Sequence, residues 1–502
     1  MNLEYRSAAG RWVLAVAVLG SGMVFLDGTV VNVALPTIGR DLNASTQTLQ
    51  WMLNGYLLTL ASLILLGGSL GDRYGRRKVF EIGVVWFTLA SLLCAVAPNS
   101  ALLIAARMLQ GVGGALLTPG SLAMIEASFR PVDRARAIGA WSGLGGIVTA
   151  IGPLLGGLLV SAVSWRAIFV INLPLGIFVA IAARRHVPET RDPDATGRID
   201  FLGATLAAIG LGGTTYALIE GGSGWSAAAT VALVAGGVSL VAFVLAERSV
   251  ANPMMPLEIF RSRQFSAANA VTFVVYGALG GVFFLLVAFC QIALGYTPIE
   301  SGAVLLPVTL LMLALSARSG ELAQRIGPRI PLTVGPIVVA LGMVWMSRIE
   351  PGDKYVTSVL PAVIVFGLGL TLVVAPVTAT VLAAADDRHS GIASGINNAV
   401  SRVGGLLAVA VLPAIAGVTG DKLYDPKAIT SGFHTAMLVC AALAASGGVL
   451  AWLTISSDVL HREPEAEPAH APEPDYHCAV CGAPLVSTHD HAAHEREPVA
   501  SR

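Results

Sequence analysis

Charge is what this sequence has least of. Only 12% of its 502 residues are Asp, Glu, Lys or Arg, whereas a soluble chain carries about a quarter. That scarcity excludes an ordinary soluble globular protein. Neither sign is in excess: 31 basic side chains stand against 31 acidic ones, so no basic surface argues for a nucleic-acid partner. Cysteine is also sparse, at five, too few for a disulfide scaffold. Cys94, Cys290 and Cys440 lie in apolar segments and read as packing residues. No serine–histidine–acid grouping has a suggestive spacing, so the chain reads as not an enzyme. Gly111–Gly114 follows no strand and lies in an apolar run, so it reads as packing rather than as a nucleotide loop.

What is present is apolar length. The chain is 55% hydrophobic, with a mean hydropathy of +0.74. Runs near the ~20 residues that cross a bilayer recur from about 12–35 to 432–456, about 14 in all. A count of 12 would make two of them re-entrant or interfacial. The expected fold class is an all-α polytopic membrane protein. Its 55 glycines suit close helix packing in lipid. No small-residue cleavage site follows the first run, which is expected to stay as a helix.

The densest charge is in Gly68–Lys78, GSLGDRYGRRK, between two apolar runs. With the N-terminus placed in the cytoplasm, the inner loops carry 20 of the 31 Lys and Arg residues and the outer loops 6. Positive charge stays inside, so both termini are expected in the cytoplasm and the chain in the cell membrane. Gly320–Arg329, GELAQRIGPR, echoes the first loop but has Gln324 where that loop has Asp72. A loop repeated after the second and tenth runs suggests two pseudo-symmetric six-helix bundles with two central helices inserted. The expected boundaries are 1–185, 186–264 for the inserted pair, 265–456, and a cytoplasmic tail at 457–502.

These residues resemble the 14-span drug:proton antiporter branch of the major facilitator superfamily. GSLGDRYGRRK is similar to the family's loop between helices two and three, and LDGTVVNVALP (Leu26–Pro36) to its helix-one signature. RMLQGVGGAL (Arg107–Leu116) resembles the helix-four motif and IGPLLGGLL (Ile151–Leu159) the antiporter motif of helix five. WRAIFVINLPLG (Trp165–Gly176) resembles the start of helix six, and GIASGINNAVSRVGG (Gly391–Gly405) carries a looser match in the second half. Val148 stands where the antiporter motif usually has glycine, for which Gly145 could substitute.

Asp27 falls well inside the first apolar run. A carboxylate at that depth must pair, face water or stay protonated, which is what proton coupling needs; the bland alternative is a carboxyl that only accepts hydrogen bonds. Arg107 is a permanent cation inside the fourth run and wants an acid or a polar cavity. The resemblance implies that it controls protonation of the buried acid; Gln110, one turn on, could share the network. Asn32 reads as a packing or hydrogen-bonding residue, and His434 as a hydrogen-bonded histidine near the outer end of the last run.

Glu126 closes the fourth run on the inner side, where Asp72, Arg76 and Arg136 are expected at the same level. Orientation accounts for Arg77 and Lys78 but not for Asp72; the resemblance implies a charge relay that latches the inner gate. Gly152, Pro153, Gly156 and Gly157 are expected to give a kinked, closely packed helix that seals against leak. In the tail, Glu463–Asp475 reads as disordered. Cys478 and Cys481, with His489 and His491, suggest one knuckle of a zinc site, against an unstructured tail or a redox pair. No other cofactor is required.

The leading function is export of small hydrophobic or cationic compounds in exchange for protons by alternating access. The expected partners are a small-molecule substrate, protons and membrane lipid, with the protein working as a monomer. The alternatives are export of one endogenous metabolite or lipid, and a membrane sensor working through the Cys/His tail.

Overall fold

The computed structural model describes residues 3–193, 195, 199–250, 252–385 and 390–461. Among these, fourteen helices are long and apolar enough to cross a membrane. They are α1 (Ala8–Asp41), α2 (Thr46–Tyr74), α3 (Arg76–Ala95), α4 (Ser100–Ser128), α5 (Pro131–Ala162), α6 (Ala167–His186) and α7 (Phe201–Gly221). They continue as α8 (Ala227–Ser249), α9 (Arg263–Ile292), α10 (Pro298–Ile326), α11 (Arg329–Met346), α12 (Tyr355–Ala383), α13 (Gly391–Ile415) and α14 (Pro426–Thr454). Several run beyond the apolar stretches read from sequence: α1 continues through Arg40 and Asp41. Hydropathy marks only the part in lipid, whereas the hydrogen-bond ladder extends until a cap ends it.

Side-chain caps set many of these starts. Ser45, Asn99, Asp200 and Ser226 each accept a backbone N–H from the first turn of α2, α4, α7 and α8. The outer surface is apolar: Val231, Val234, Val238 and Val241 on α8, and Ile82, Val85 and Leu89 on α3, are all exposed. This is the surface a bilayer requires.

Helices α1 to α6 pack on one another, with α4 against α2 and α3, and α1 against α5. Helices α9 to α14 do the same, with α14 against α9 and α11, and α12 against α10 and α11. The α7–α8 hairpin leans on α2 and α13. Its two helices approach closely because Gly213 and Gly236 face each other; a Cβ on Gly236 would lie 2.7 Å from the Thr214 nitrogen.

The repeated loops share their backbone. Gly75 ends α2 at φ +113° and Gly327 ends α10 at φ +82°, both in the region that favours glycine. Each is strapped by the chain leaving the last helix of its group. A Cβ on Gly75 would meet the Glu189 carboxylate at 2.7 Å, and one on Gly327 would meet the Ser457 Cα at 2.8 Å. The zinc-knuckle residues Cys478, Cys481, His489 and His491 lie outside the described residues.

Candidate functional site

Asp27 and Arg107 meet. Both side chains are 1% exposed, and the Arg107 Nη1 donates to Asp27 Oδ2. Gln110 Nε2 donates to the other carboxylate oxygen at 2.9 Å, and Gln110 Oε1 accepts from Arg107 Nη1 at 2.6 Å. Both oxygens of Asp27 therefore accept from α4, from two positions one turn apart. The guanidinium also donates through Nε to the Met52 carbonyl at 3.2 Å and lies 4.2 Å above the Tyr56 ring. Tyr56 in turn donates to the Val24 carbonyl at 3.3 Å, which fixes the ring against α1.

The network runs further than the sequence reading took it. Gln110 Nε2 also reaches Ser91 Oγ at 3.3 Å, and Asn172 Nδ2 donates to the same hydroxyl at 3.0 Å. The Ser91 hydroxyl in turn donates to the Phe169 carbonyl at 3.0 Å. One polar chain thus ties α1, α3, α4 and α6 in the middle of an apolar bundle. Asn172 was visible in the helix-six stretch, and Ser91 is one serine among many; neither carries a charge that would flag it.

Pro153 has no N–H, so the carbonyl of Thr149 loses its helical partner. The Thr29 hydroxyl on α1 lies 3.3 Å from that carbonyl, although its shortest acceptor is the Leu26 carbonyl of its own helix at 2.9 Å. Gly152 and Gly156 bring α5 onto α1: a Cβ at Gly156 would stand 3.0 Å from the Val30 carbonyl. Gly157 faces the other way, and its Cβ would lie 2.7 Å from the Ile299 Cα on α10. Gly145 and Val148 both face α1, against Phe25 and Gly22. The four motif residues therefore make one tight helix clamped on both sides.

Asp72 and Arg76 form an ion pair at 2.8 Å across the Gly75 turn. Glu126, partly buried at the same end of α4, lies in the electrostatic field of Arg76, Arg134 and Asp72. Its Oε2 is 3.9 Å from where a Cβ on Gly391 of α13 would stand. Arg136 goes elsewhere: its guanidinium lies 4.6 Å over the Tyr5 ring. Arg134 takes the position at this level, because a shift of two residues turns a helix by more than half a revolution. The segment after α6 also joins this end, without a charge pattern that marks it in the sequence. Glu189 accepts the backbone N–H groups of Arg77 at 3.0 Å and Lys78 at 3.1 Å, capping α3. Arg76 N–H donates to the Thr190 carbonyl at 2.8 Å.

At the opposite end the two helix groups are joined by hydrogen bonds. Thr46 Oγ1 donates to the Gly420 carbonyl at 2.6 Å, Gln50 Nε2 to the Val409 carbonyl at 2.6 Å, and the Tyr424 hydroxyl to the Ala44 carbonyl at 2.8 Å. Asn32 and His434 make the hydrogen bonds expected of them, to the Gly28 carbonyl at 3.1 Å and with the Ile349 carbonyl at 2.8 Å.

The comparisons with known proteins point the same way as this geometry. The chain is 37% identical over 411 residues to the multidrug resistance protein Stp of Mycobacterium tuberculosis (strain CDC 1551 / Oshkosh), covering 81% of this chain and 76% of that protein. It is 36% identical to the puromycin resistance protein pur8 of Streptomyces alboniger, covering 89% and 91%. It is also 36% identical to the tetracenomycin C resistance and export protein of Streptomyces glaucescens, covering 82% and 77%. Its fold matches an inward-facing, unoccupied bacterial homolog of the human lysosomal transporter Spinster, at a TM-score of 0.65 and 17% identity over 92% of this chain and 100% of that one. The Major Facilitator Superfamily model matches residues 17–409. With fourteen spans and a buried acid–arginine pair joining its first helices, the chain belongs to the Major Facilitator Superfamily.

Proposed function

We propose that this chain exports small, largely apolar compounds from the cytoplasm in exchange for protons, by alternating access between helices 1–185 and 265–456. The observation that carries the reading is the sealed Asp27–Arg107–Gln110 group. A charge pair removed from water is stable only while both charges persist. Protonating Asp27 turns an ion pair into an ion facing a neutral acid, loosening the tie between α1 and α4. Each rearrangement of the bundles then takes up or releases one proton at Asp27. The resistance and export relatives support the efflux direction.

The ends act as gates. The Gly68–Lys78 end faces the cytoplasm, and Asp72, Arg76 and Glu126 form its latch. Ion pairs at a water boundary are each worth about 0–1 kcal/mol, weak enough to open in every cycle. Gly152, Pro153, Gly156 and Gly157 keep the joint between the halves closed to protons while the ends alternate.

The test is uptake into inverted membrane vesicles of a compound toward which the protein confers resistance in an efflux-deficient host. Uptake should follow an imposed inside-acid gradient and collapse on adding a protonophore. Uptake that instead requires ATP and ignores the gradient would overturn the reading.

A further inference from the structure

Arg402 is a strong charge near the middle of a span that the scheme above does not use. It is the 13th residue of the 26-residue helix Ser390–Ile415 and is half-buried. One face of that helix looks across to the first helix group. Gly391 approaches Glu126 of α4, Gly395 approaches Leu65 of α2, and the Val409 carbonyl accepts from Gln50. Arg402 lies on this face, at helical spacing from all three. The neighbouring face, with Asn397 and Gly404, packs on α9 through Asn269, Thr272 and Phe273.

The guanidinium points at α1. A Cβ on Gly28 would meet Arg402 Nη1 at 3.9 Å and nothing else within 4 Å, so the space beside it is open. Tyr56 of α2 and Tyr276 of α9 lie within its electrostatic reach. Among the described residues no carboxylate lies within 4.0 Å of Arg402, and no hydrogen bond is made by its side chain. Asp27, the residue next to Gly28, is already engaged by Arg107 and Gln110. Arg402 is therefore left without a carboxylate partner within a span, where an uncompensated cation is costly.

We infer that Arg402 is a substrate-binding residue that takes the carboxylate or sulfonate group of an otherwise apolar transported compound. Its planar fork suits two-point recognition of such anions. Gly28 has no side chain to fill the space beside the guanidinium. The assignment rests on the transport reading for its biological meaning, but binding tests it separately.

The experiment is equilibrium binding of fluorescein, an anionic dye, and ethidium, a cationic one, to the purified full-length protein, read by fluorescence anisotropy. Arg402→Gln should weaken fluorescein at least tenfold and leave ethidium unchanged, and Arg402→Lys should fall between. A measurement on the wild type alone makes the same point: fluorescein methyl ester, lacking the carboxylate, should bind at least tenfold more weakly than fluorescein. The assignment is overturned if the wild type does not bind fluorescein, if ester and acid bind alike, or if Arg402→Gln weakens both dyes equally. Uptake of both dyes by inverted vesicles is measured in parallel. Binding without any gradient-driven uptake would overturn the export reading and leave Arg402 as an anion-binding residue.

Discussion

Replacing Asp27 by Asn is the most informative single change. The two carboxylate oxygens of Asp27 both accept, one from Arg107 and one from Gln110. An amide keeps one acceptor and gains two donors. Whichever way it is turned, its NH2 faces a donor, and Gln110 cannot flip to meet it without losing its bond to Arg107. Arg107, 1% exposed, is left without its countercharge. Removing one partner of a buried pair costs about 3–5 kcal/mol, or more than two decades in an equilibrium constant at about 1.4 kcal/mol per decade. Asp27→Asn should therefore lower the unfolding temperature of the purified protein clearly. Asp27→Asn with Arg107→Gln should recover much of that loss, because no lone charge remains. Neither variant should accumulate substrate in inverted vesicles when a proton gradient is imposed. Asp27→Asn with wild-type melting and wild-type gradient-driven uptake would refute both the stability argument and the coupling role.

The other predictions address the loop, the seal and the tail. Gly75→Ala places a side chain at φ +113° against Glu189 and should cost about 1–3 kcal/mol in thermal stability, whereas Gly139→Ala, with nothing within 4 Å, should be silent. Glu189→Ala removes the cap of α3, worth about 0.5–2 kcal/mol, and should make the 187–192 segment more sensitive to limited proteolysis. Gly157→Val should push α5 from α10 and raise passive proton leak in proteoliposomes; an unchanged leak would remove the sealing role. For the tail, the full chain should bind one zinc ion that is lost in Cys478→Ser with Cys481→Ser, while deletion of residues 463–502 should leave efflux unchanged. Loss of metal-dependent partner binding on that deletion would favour the sensor reading.

Much was legible before any coordinates. Apolar runs of bilayer length have few structural outcomes, because backbone groups in lipid must bond within their own helix. The count of fourteen followed. Asp27, Arg107 and Asp72 stood out because charge is rare and costly in such a chain. The echo of the first loop proved to be a repeated turn because positive φ selects glycine at both places.

The sequence by itself determined which residues cannot lie idle in a membrane: Asp27, Arg107 and the loop acid Asp72. Only the tertiary structure decided their partners. Helix rotation sets which side chains meet, and a difference of two residues sends Arg136 to Tyr5 while Arg134 stays in the field of Glu126. It also brought in uncharged or distant contributors, namely Ser91, Asn172 and Glu189. No local pattern marks them, because their role comes from contacts more than 70 residues away along the chain for Asn172 and Glu189. Finally, it separated two arginines that look alike in sequence, since Asp27 sits against one and leaves the other unpaired.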